Sequence, residues 1–365
     1  MGVGVGAEIG VGFLGLGTVG GSALGLMREM AAEIATRVGC PVVPVRALVA
    51  DPRRPRAVDT AGVELVTDVA AVLDDPRVHV VVEAAGGIRP ALDWILGALD
   101  RGKPVVTANK QVVANHGQEI FEAADRRGVG IYFEGSVAGG IPIIRPLKYC
   151  LAANRIQMLM GIINGTTNFI LSRMGQGQSP QAALREAQAL GYAEADPTLD
   201  LNGRDAASKL ANLASKAFNS RITPDQVPSE GNERLTRAEE ENAARLGYAV
   251  KLLGVAVRDE GGVEVRVHPA LLPLGHPLAA VGGAFNAVYL KGSAVGELMF
   301  YGQGAGGRAT ASAVVADLIE AARNLRMGIR SVACTCTHQE PRRDPDLAPA
   351  PHYLRLSIPD RRGAL

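Results

Sequence analysis

Val11-Gly12-Phe13-Leu14-Gly15-Leu16-Gly17-Thr18-Val19-Gly20 is the stretch whose reading decides the fold. Val11 to Leu16 reads as an apolar strand, and Gly20 to Arg37 reads as a helix. Between them, Gly15, Gly17 and Gly20 fall on a GxGxxG pattern. Alone that pattern is weak, and a tight turn in a glycine-rich stretch is the competing reading. Flanked by a strand and a helix it acquires a mechanism. The first glycine allows the tight turn, the second lets the backbone approach a pyrophosphate, and the third lets helix and strand pack closely. The helix N-terminus, with Thr18 and Val19, offers N–H donors and a positive dipole to the phosphates.

Outward from the loop, apolar runs alternate with amphipathic stretches. Val42 to Val49 is a second strand candidate. Val78 to Glu83, Pro104 to Thr107 and Gly130 to Phe133 follow, with helices fitted over Pro90 to Arg101 and Asn115 to Arg127. The β-branched run at 78–83 suits a strand covered on both faces. Such alternation implies an α/β fold, a Rossmann doubly wound parallel sheet. After Gly135 the pattern changes. Helices over Ser179 to Leu190, Arg204 to Asn219 and Ala238 to Val250 mix with strands over Gly262 to His268 and Ala287 to Lys291, which reads as an α+β domain. The expected division is a dinucleotide-binding domain at 1–135, a substrate-binding and dimerisation domain at 136–304, and a helix at 305–330 returning to the first. Residues 340–351, rich in Pro, Asp and Arg, read as a linker. His352 to Ile358 alternates like one further strand, the start of another module within 340–365.

Composition sets the class. Across 365 residues, 47% are hydrophobic and 21% charged, which suits a packed enzyme of two or three domains. The formal net charge of +1 implies no polyanion, so nucleic acid is not an expected partner. Cys40, Cys150, Cys334 and Cys336 are scattered and suggest neither a zinc site nor a redox pair; a reducing cytoplasm fits. Neither a signal peptide nor a membrane span is expected.

Three segments carry candidate chemistry. At the end of the second strand stands Asp51-Pro52-Arg53-Arg54-Pro55-Arg56. An acidic residue there binds ribose hydroxyls, whereas arginines accommodate a 2′-phosphate. Asp51 argues for NAD; Arg53 and Arg54, with Arg56, argue for NADP and tip the balance. A solvated basic loop is the plain alternative. Thr107-Ala108-Asn109-Lys110 follows a strand, and ligands in doubly wound sheets sit beyond strand carboxyl ends, which places Lys110 near the nicotinamide crevice. Taken singly, it is more often a surface lysine. Gly191 to Lys209 holds Glu194, Asp196, Asp200 and Asp205. Asp205 and Lys209, four apart, share a helix face. Zinc-free alcohol dehydrogenation needs a base, and a desolvated lysine can serve. An ordinary surface helix pair is the alternative.

Thr107 to Lys110, Glu134 to Pro142, Asn164 to Leu171 and Gly191 to Lys209, in this order and spacing, resemble homoserine dehydrogenases over about residues 10–325. The resemblance implies interconversion of L-homoserine and L-aspartate 4-semialdehyde with NADP (NAD as the alternative), in threonine and methionine biosynthesis, by a homodimer or larger homo-oligomer. It implies Lys209 as the acid/base, Lys110 as a second lysine at the reacting oxygen, and Gly191, Glu194, Asp200 and Asp205 as the amino-acid site. Thr107 and Gly302 would touch the cofactor. Glu134, Val137, Gly139 and Ile141 would supply oxygens, mostly backbone carbonyls, to a structural sodium ion. Two departures stand out: many members have arginine where Ala50 stands and proline where Ala309 stands. The segment from Tyr353 resembles the start of an ACT regulatory domain; with one strand of it, threonine feedback is not expected. The competing functions are a dehydrogenase of a different amino-acid aldehyde and a non-catalytic NAD(P)-sensing regulator, which would keep the glycine loop but not the lysines.

Overall fold

The computed structural model describes residues 8–329, 336, 338–345, 350–356 and 358. Cys334 and Ser357 lie outside them. Six parallel strands, β1 (Ile9–Leu14), β2 (Val42–Leu48), β3 (Glu64–Val66), β4 (Val80–Glu83), β5 (Val105–Thr107) and β6 (Ile131–Tyr132), form one sheet in the order β3-β2-β1-β4-β5-β6. The order reverses direction at β1, and the GxGxxG loop lies at the end of that strand, where doubly wound sheets bind dinucleotides.

Helices cover both faces: α1 (Thr18–Glu29), α2 (Ala31–Val38), α3 (Val69–Leu73), α4 (Ala91–Asp100) and α5 (Lys110–Arg127). The two-residue strand period sends Val80 and Val82 to one core with Leu24, Met27 and Ile34. Val81 goes to the other, with Leu92, Ile95 and Leu99. Both faces are therefore dry, which is why β1 and β4 are buried at every position.

The second sheet is antiparallel, ordered β11-β10-β7-β8-β9. Its strands are β7 (Ile156–Ile162), β8 (Tyr248–Asp259), β9 (Gly262–Pro273), β10 (Phe285–Gly292) and β11 (Gly296–Gln303). The helices of this half are α6 (Gly165–Gly175), α7 (Pro180–Ala189), α8 (Thr198–Leu201), α9 (Arg204–Phe218) and α10 (Arg237–Arg245). Phe169 and Ile170 of α6 and Leu210 and Leu213 of α9 share one core with Leu159, Leu252 and Val288 of the sheet. The last helix, α11 (Gly307–Met327), packs on α1 and α2 through Val314, Leu318 and Ala321.

Several elements differ from the sequence reading. The helix expected over 20–37 is two, broken at Met30 (φ −107°, ψ 21°). Helix α5 begins at Lys110, not Asn115, because Asn109 caps it: its Oδ1 accepts the Val112 N–H at 3.2 Å. The same helix kinks at His116, where Arg221 Nη2 donates to the freed Ala114 carbonyl at 2.8 Å; an intruding side chain is a recognised cause of a kink. Helix α10 stops at Arg245, since Gly247 (φ +83°) turns the chain into β8. Within the expected linker, residues 341–343 lie along the sheet edge: Pro341 O accepts Val263 N–H and Arg343 N–H donates to Val263 O. Residues 350–356 and 358 form no strand. They lie irregularly against α10, where Asn242 Nδ2 bonds Tyr353 Oη and Arg355 pairs with Glu239. The alternating pattern at 352–358 meets no neighbouring strand among the described residues, and a strand needs one.

A buried carboxylate joins the halves. Glu134, just past β6, accepts the N–H groups of Ile143 and Ile144 on Oε1 (2.6 and 2.7 Å) and of Arg145 on Oε2 (2.8 Å). Its own N–H donates to Asp317 of α11 at 2.7 Å, and Asp317 also pairs with Arg145 at 2.9 Å. Glu134→Ala would strand three N–H donors, each costing ~1–3 kcal/mol if left unpaired. It is therefore expected to lower the unfolding free energy by about 3 kcal/mol or more. Urea titration of both proteins measures it, and a loss under about 1 kcal/mol would show that the 143–145 segment finds other acceptors.

Candidate functional site

The site starts from the loop after β1. Gly15 has φ +101°, a conformation that disfavours any side chain. Gly20 is set by contact: a Cβ there would lie 2.1 Å from the Gly15 carbonyl oxygen. Gly17 is the N-cap of α1 and has open space where a Cβ would point. Thr18 and Val19 begin the helix, so its first N–H groups face outward over the loop. The loop before α11 comes close: a Cβ on Gly307 would lie 2.9 Å from Thr18 Cγ2 and 2.7 Å from Ser22 Oγ.

Next along the sheet, Glu83 ends β4 fully buried. Its Oε2 accepts the Thr107 hydroxyl at 2.6 Å, and its Oε1 accepts the Ala85 N–H at 2.9 Å. Thr107 Oγ1 in turn accepts the Asn109 N–H at 2.9 Å. Asn109 Nδ2 donates to Gly87 O at 2.6 Å while its Oδ1 caps α5. Together these bonds tie the ends of β4 and β5 to each other and fix the turn that places Lys110 on the first residue of a helix. The Thr107 hydroxyl is thereby turned inward, its proton committed to Glu83.

Lys110 reaches across to the second half of the chain. Its Nζ pairs with Asp205 Oδ1. Asp205 Oδ2 pairs with Lys209 Nζ at 2.7 Å and accepts Asn164 Nδ2 at 2.8 Å. Lys209 Nζ also donates to Ile163 O at 2.9 Å. Thus two ammonium groups, 95 and 99 residues apart in sequence from Lys110 to Asp205 and to Lys209, share one buried carboxylate. Burial by itself would raise the Asp205 pKa; the Lys209 and Lys110 charges outweigh it and hold the carboxyl well below the usual range. Asp205 therefore stays anionic at any working pH.

Asn164 was quoted in the sequence pattern without a role. The structure makes it the hinge of the cluster: it caps α6 through Oδ1, accepting the Thr167 N–H at 2.9 Å, and donates Nδ2 to Asp200 Oδ1 at 2.7 Å as well as to Asp205. Its position just before Gly165-Thr166-Thr167 is the N-cap signature that could have revealed it. Glu83 was equally hidden, reading only as a strand end.

The other candidate residues divide. Gly191 (φ +75°) and the exposed Glu194 lie on the loop after α7, tied to α6 where Thr166 Oγ1 donates to Tyr192 O at 2.6 Å. Arg53 and Arg54 are exposed on the turn after β2. Asp51 there receives the Arg53 N–H at 2.9 Å and its guanidinium at 3.5 Å. Gly302 sits on β11 facing Asn286, beside Ile141; Gly307, rather than Gly302, is the glycine of that loop that meets Thr18. Val137, Gly139 and Ile141 lie on the loop after Glu134, curled by left-handed Ala138 (φ +56°) and Gly139 (φ +57°). Among the described residues no cluster of three or more His, Cys, Asp or Glu side chains could hold a metal, and no helix is long and apolar enough to cross a membrane.

Comparison with known proteins identifies the family. Residues 15–134 match the family described as "Homoserine dehydrogenase, NAD binding domain", and residues 142–319 match "Homoserine dehydrogenase". The chain is 44% identical over 356 residues to the homoserine dehydrogenase of Bacillus subtilis, covering 97% of this chain and 82% of that protein. It is 46% identical over 364 residues to that of Mycobacterium tuberculosis, covering 98% and 82%. A crystal structure of a homoserine dehydrogenase from Thiobacillus denitrificans superposes with a TM-score of 0.88 at 47% identity, over 92% of this chain and 79% of that one. A hyperthermophilic archaeal homoserine dehydrogenase in complex with NADPH superposes at 0.71 with 25% identity, over 86% and 97%. Sequence identity at this level through both halves, on one shared architecture, means that the chain belongs to the homoserine dehydrogenase family of oxidoreductases acting on CH–OH groups.

Proposed function

We propose that this chain interconverts L-homoserine and L-aspartate 4-semialdehyde, running towards homoserine, with Lys209 as acid/base. One observation carries the reading: the buried Asp205 carboxylate held between Lys110 and Lys209 beyond the carboxyl end of β5. A bound nicotinamide supplies or takes the hydride. The rest falls to the protein. Lys209 Nζ has three donors; two are committed, to Asp205 and Ile163 O, which leaves one for the substrate oxygen. That donor is aimed by fixed partners, so no reorganisation is needed when charge develops on the oxygen. Lys110 stands on the other side of the same carboxylate and supplies a second positive charge to the reacting oxygen. Glu194 offers a carboxylate to the substrate ammonium, and Asp200 holds Asn164 in place.

The cofactor form read here is NADP. Asp51 Oδ1 is engaged by the Arg53 N–H and Nε, while the Arg53 side chain, 92% exposed, can turn its outer nitrogens to a phosphate. The archaeal relative's complex with NADPH is in keeping with that. A sodium ion fits the loop after Glu134. Among the described residues no hydrogen bond is made to the carbonyls of Val137, Gly139 or Ile141, all three buried. Unpaired buried carbonyls suit a hard cation. The Glu134 carboxylate, saturated by three N–H groups, would not be among its ligands. A second copy of the chain fits the sheet edge at β11, where Met299, Tyr301 and Phe285 are exposed, with Phe285 and Tyr301 stacked at 5.2 Å.

Three outcomes are expected. Lys209→Ala lowers kcat by about 10²-fold or more, the usual size of a general acid–base contribution; near-normal kcat in a folded variant, assayed with aspartate semialdehyde and NADPH, removes Lys209 from that role. Arg53→Ala combined with Arg54→Ala raises the Kd for NADPH and leaves NADH nearly unchanged; equal losses would mean that neither guanidinium reads the phosphate. Tyr301→Lys moves the mass measured by light scattering from dimer towards monomer, whereas an unchanged dimer places the contact elsewhere.

A further inference from the structure

Asn286 is wholly buried on β10, yet among the described residues neither its Oδ1 nor its Nδ2 has a hydrogen-bond partner. A buried carboxamide in that state forfeits the bonds water would give it. Its neighbours indicate what the bonds are for. Asn286 presses on Gly304: a Cβ there would fall 1.9 Å from Asn286 Cγ and 2.0 Å from Nδ2. Gly304 is itself buried, and among the described residues neither its N–H nor its C=O is hydrogen-bonded. Two unmet donor–acceptor sets therefore lie side by side, with the Asn286 carboxamide filling the space where a side chain on Gly304 would stand.

One side of this contact is rigid. Asn168 Nδ2 donates to Val281 O, Gly283 O and Phe285 O (3.3, 3.0 and 3.1 Å), and Lys251 Nζ donates to Val281 O at 2.6 Å. The chain leading into Asn286 is thus tied down. The other side is a glycine loop, Gly304-Ala305-Gly306-Gly307, with Gly306 at φ +114°, and it ends against Thr18 of the dinucleotide loop. Glycine at such points lets the backbone reseat at low cost.

We propose that Asn286 is a positioning residue: when a nicotinamide dinucleotide occupies the Gly15–Gly20 loop, the Gly304 peptide shifts onto the Asn286 carboxamide, and the Gly304–Gly307 loop is thereby seated against the cofactor. This rests on the cofactor reading above. The two unsatisfied sets are then paired only in the bound state, so their pairing adds to cofactor affinity and not to the stability of the free protein.

The test is Asn286→Leu, which keeps the size and removes the polar atoms. The expected result is a free protein melting at or above the parent temperature, with the NADPH Kd raised about tenfold, the worth of one such interaction, and the KM for homoserine at saturating NADPH within about twofold. An NADPH Kd within twofold of the parent overturns the proposal. So does a lower Tm accompanied by equal losses for NADPH and homoserine, since the carboxamide would then be serving the free protein. If Asn286→Leu does not fold, Asn286→Ala is read by the same ratio of NADPH to homoserine effects. A parent protein that binds neither NADPH nor NADH would sink the functional reading itself, an outcome separate from either of these.

Discussion

The Asp205 carboxylate is the charge on which the site depends. A buried anion is costly unless its partners are close and its lone pairs are filled. Asp205 meets both conditions, with Lys110, Lys209 and Asn164 distributed over its two oxygens. The dependence is mutual. Lys110 sits at the N-terminus of α5, where the helix dipole disfavours a cation, and Asp205 supplies the compensating charge. Since α5 belongs to the parallel sheet and α9 to the antiparallel half, this ion triad also holds the two halves in register across the site.

Around the triad, further buried polar side chains fix the backbone that carries it. Glu83, Thr107 and Asn109 form a chain of short bonds that ends at the first residue of α5, so the position of Lys110 is decided by a buried residue on a neighbouring strand. Asn164 does the equivalent for α6 and reaches both Asp200 and Asp205 from one amide nitrogen. Glu134 repeats the device at the joint between the halves with three backbone N–H groups. Side chains held in this way lose their freedom at folding, not at the moment of reaction.

Much of the fold was legible because its signals are local. The β-branched run ending at Glu83 and the alternating apolar runs around it carry the strand period, and the glycine loop carries its own reason for each glycine. The second half was harder to read. Strands β7, β8 and β11 escaped notice: Ile156–Ile162 contains Gln157 and Met residues, the start of β8 was read as the end of a helix, and β11 is only half covered. The helix expected to run on to Val250 failed at a single glycine, Gly247. At 352–358 the described residues form no strand for the opposite reason: the alternation is real, but a strand exists only where another pairs with it.

By itself the sequence determined the parallel sheet, the dinucleotide loop and the pairing of Asp205 with Lys209, because these depend on spacings of two, four and five residues that any local segment expresses. Only the tertiary structure decided that Lys110 shares the Asp205 carboxylate, that Thr107 turns inward to Glu83, that Asn164 links two acidic residues, and that Gly307 rather than Gly302 meets Thr18. Each of those contacts joins segments separated by 24 residues or more. Such separations leave no periodic trace, and they are fixed only when both sheets have packed and every buried polar group has been forced to find a partner.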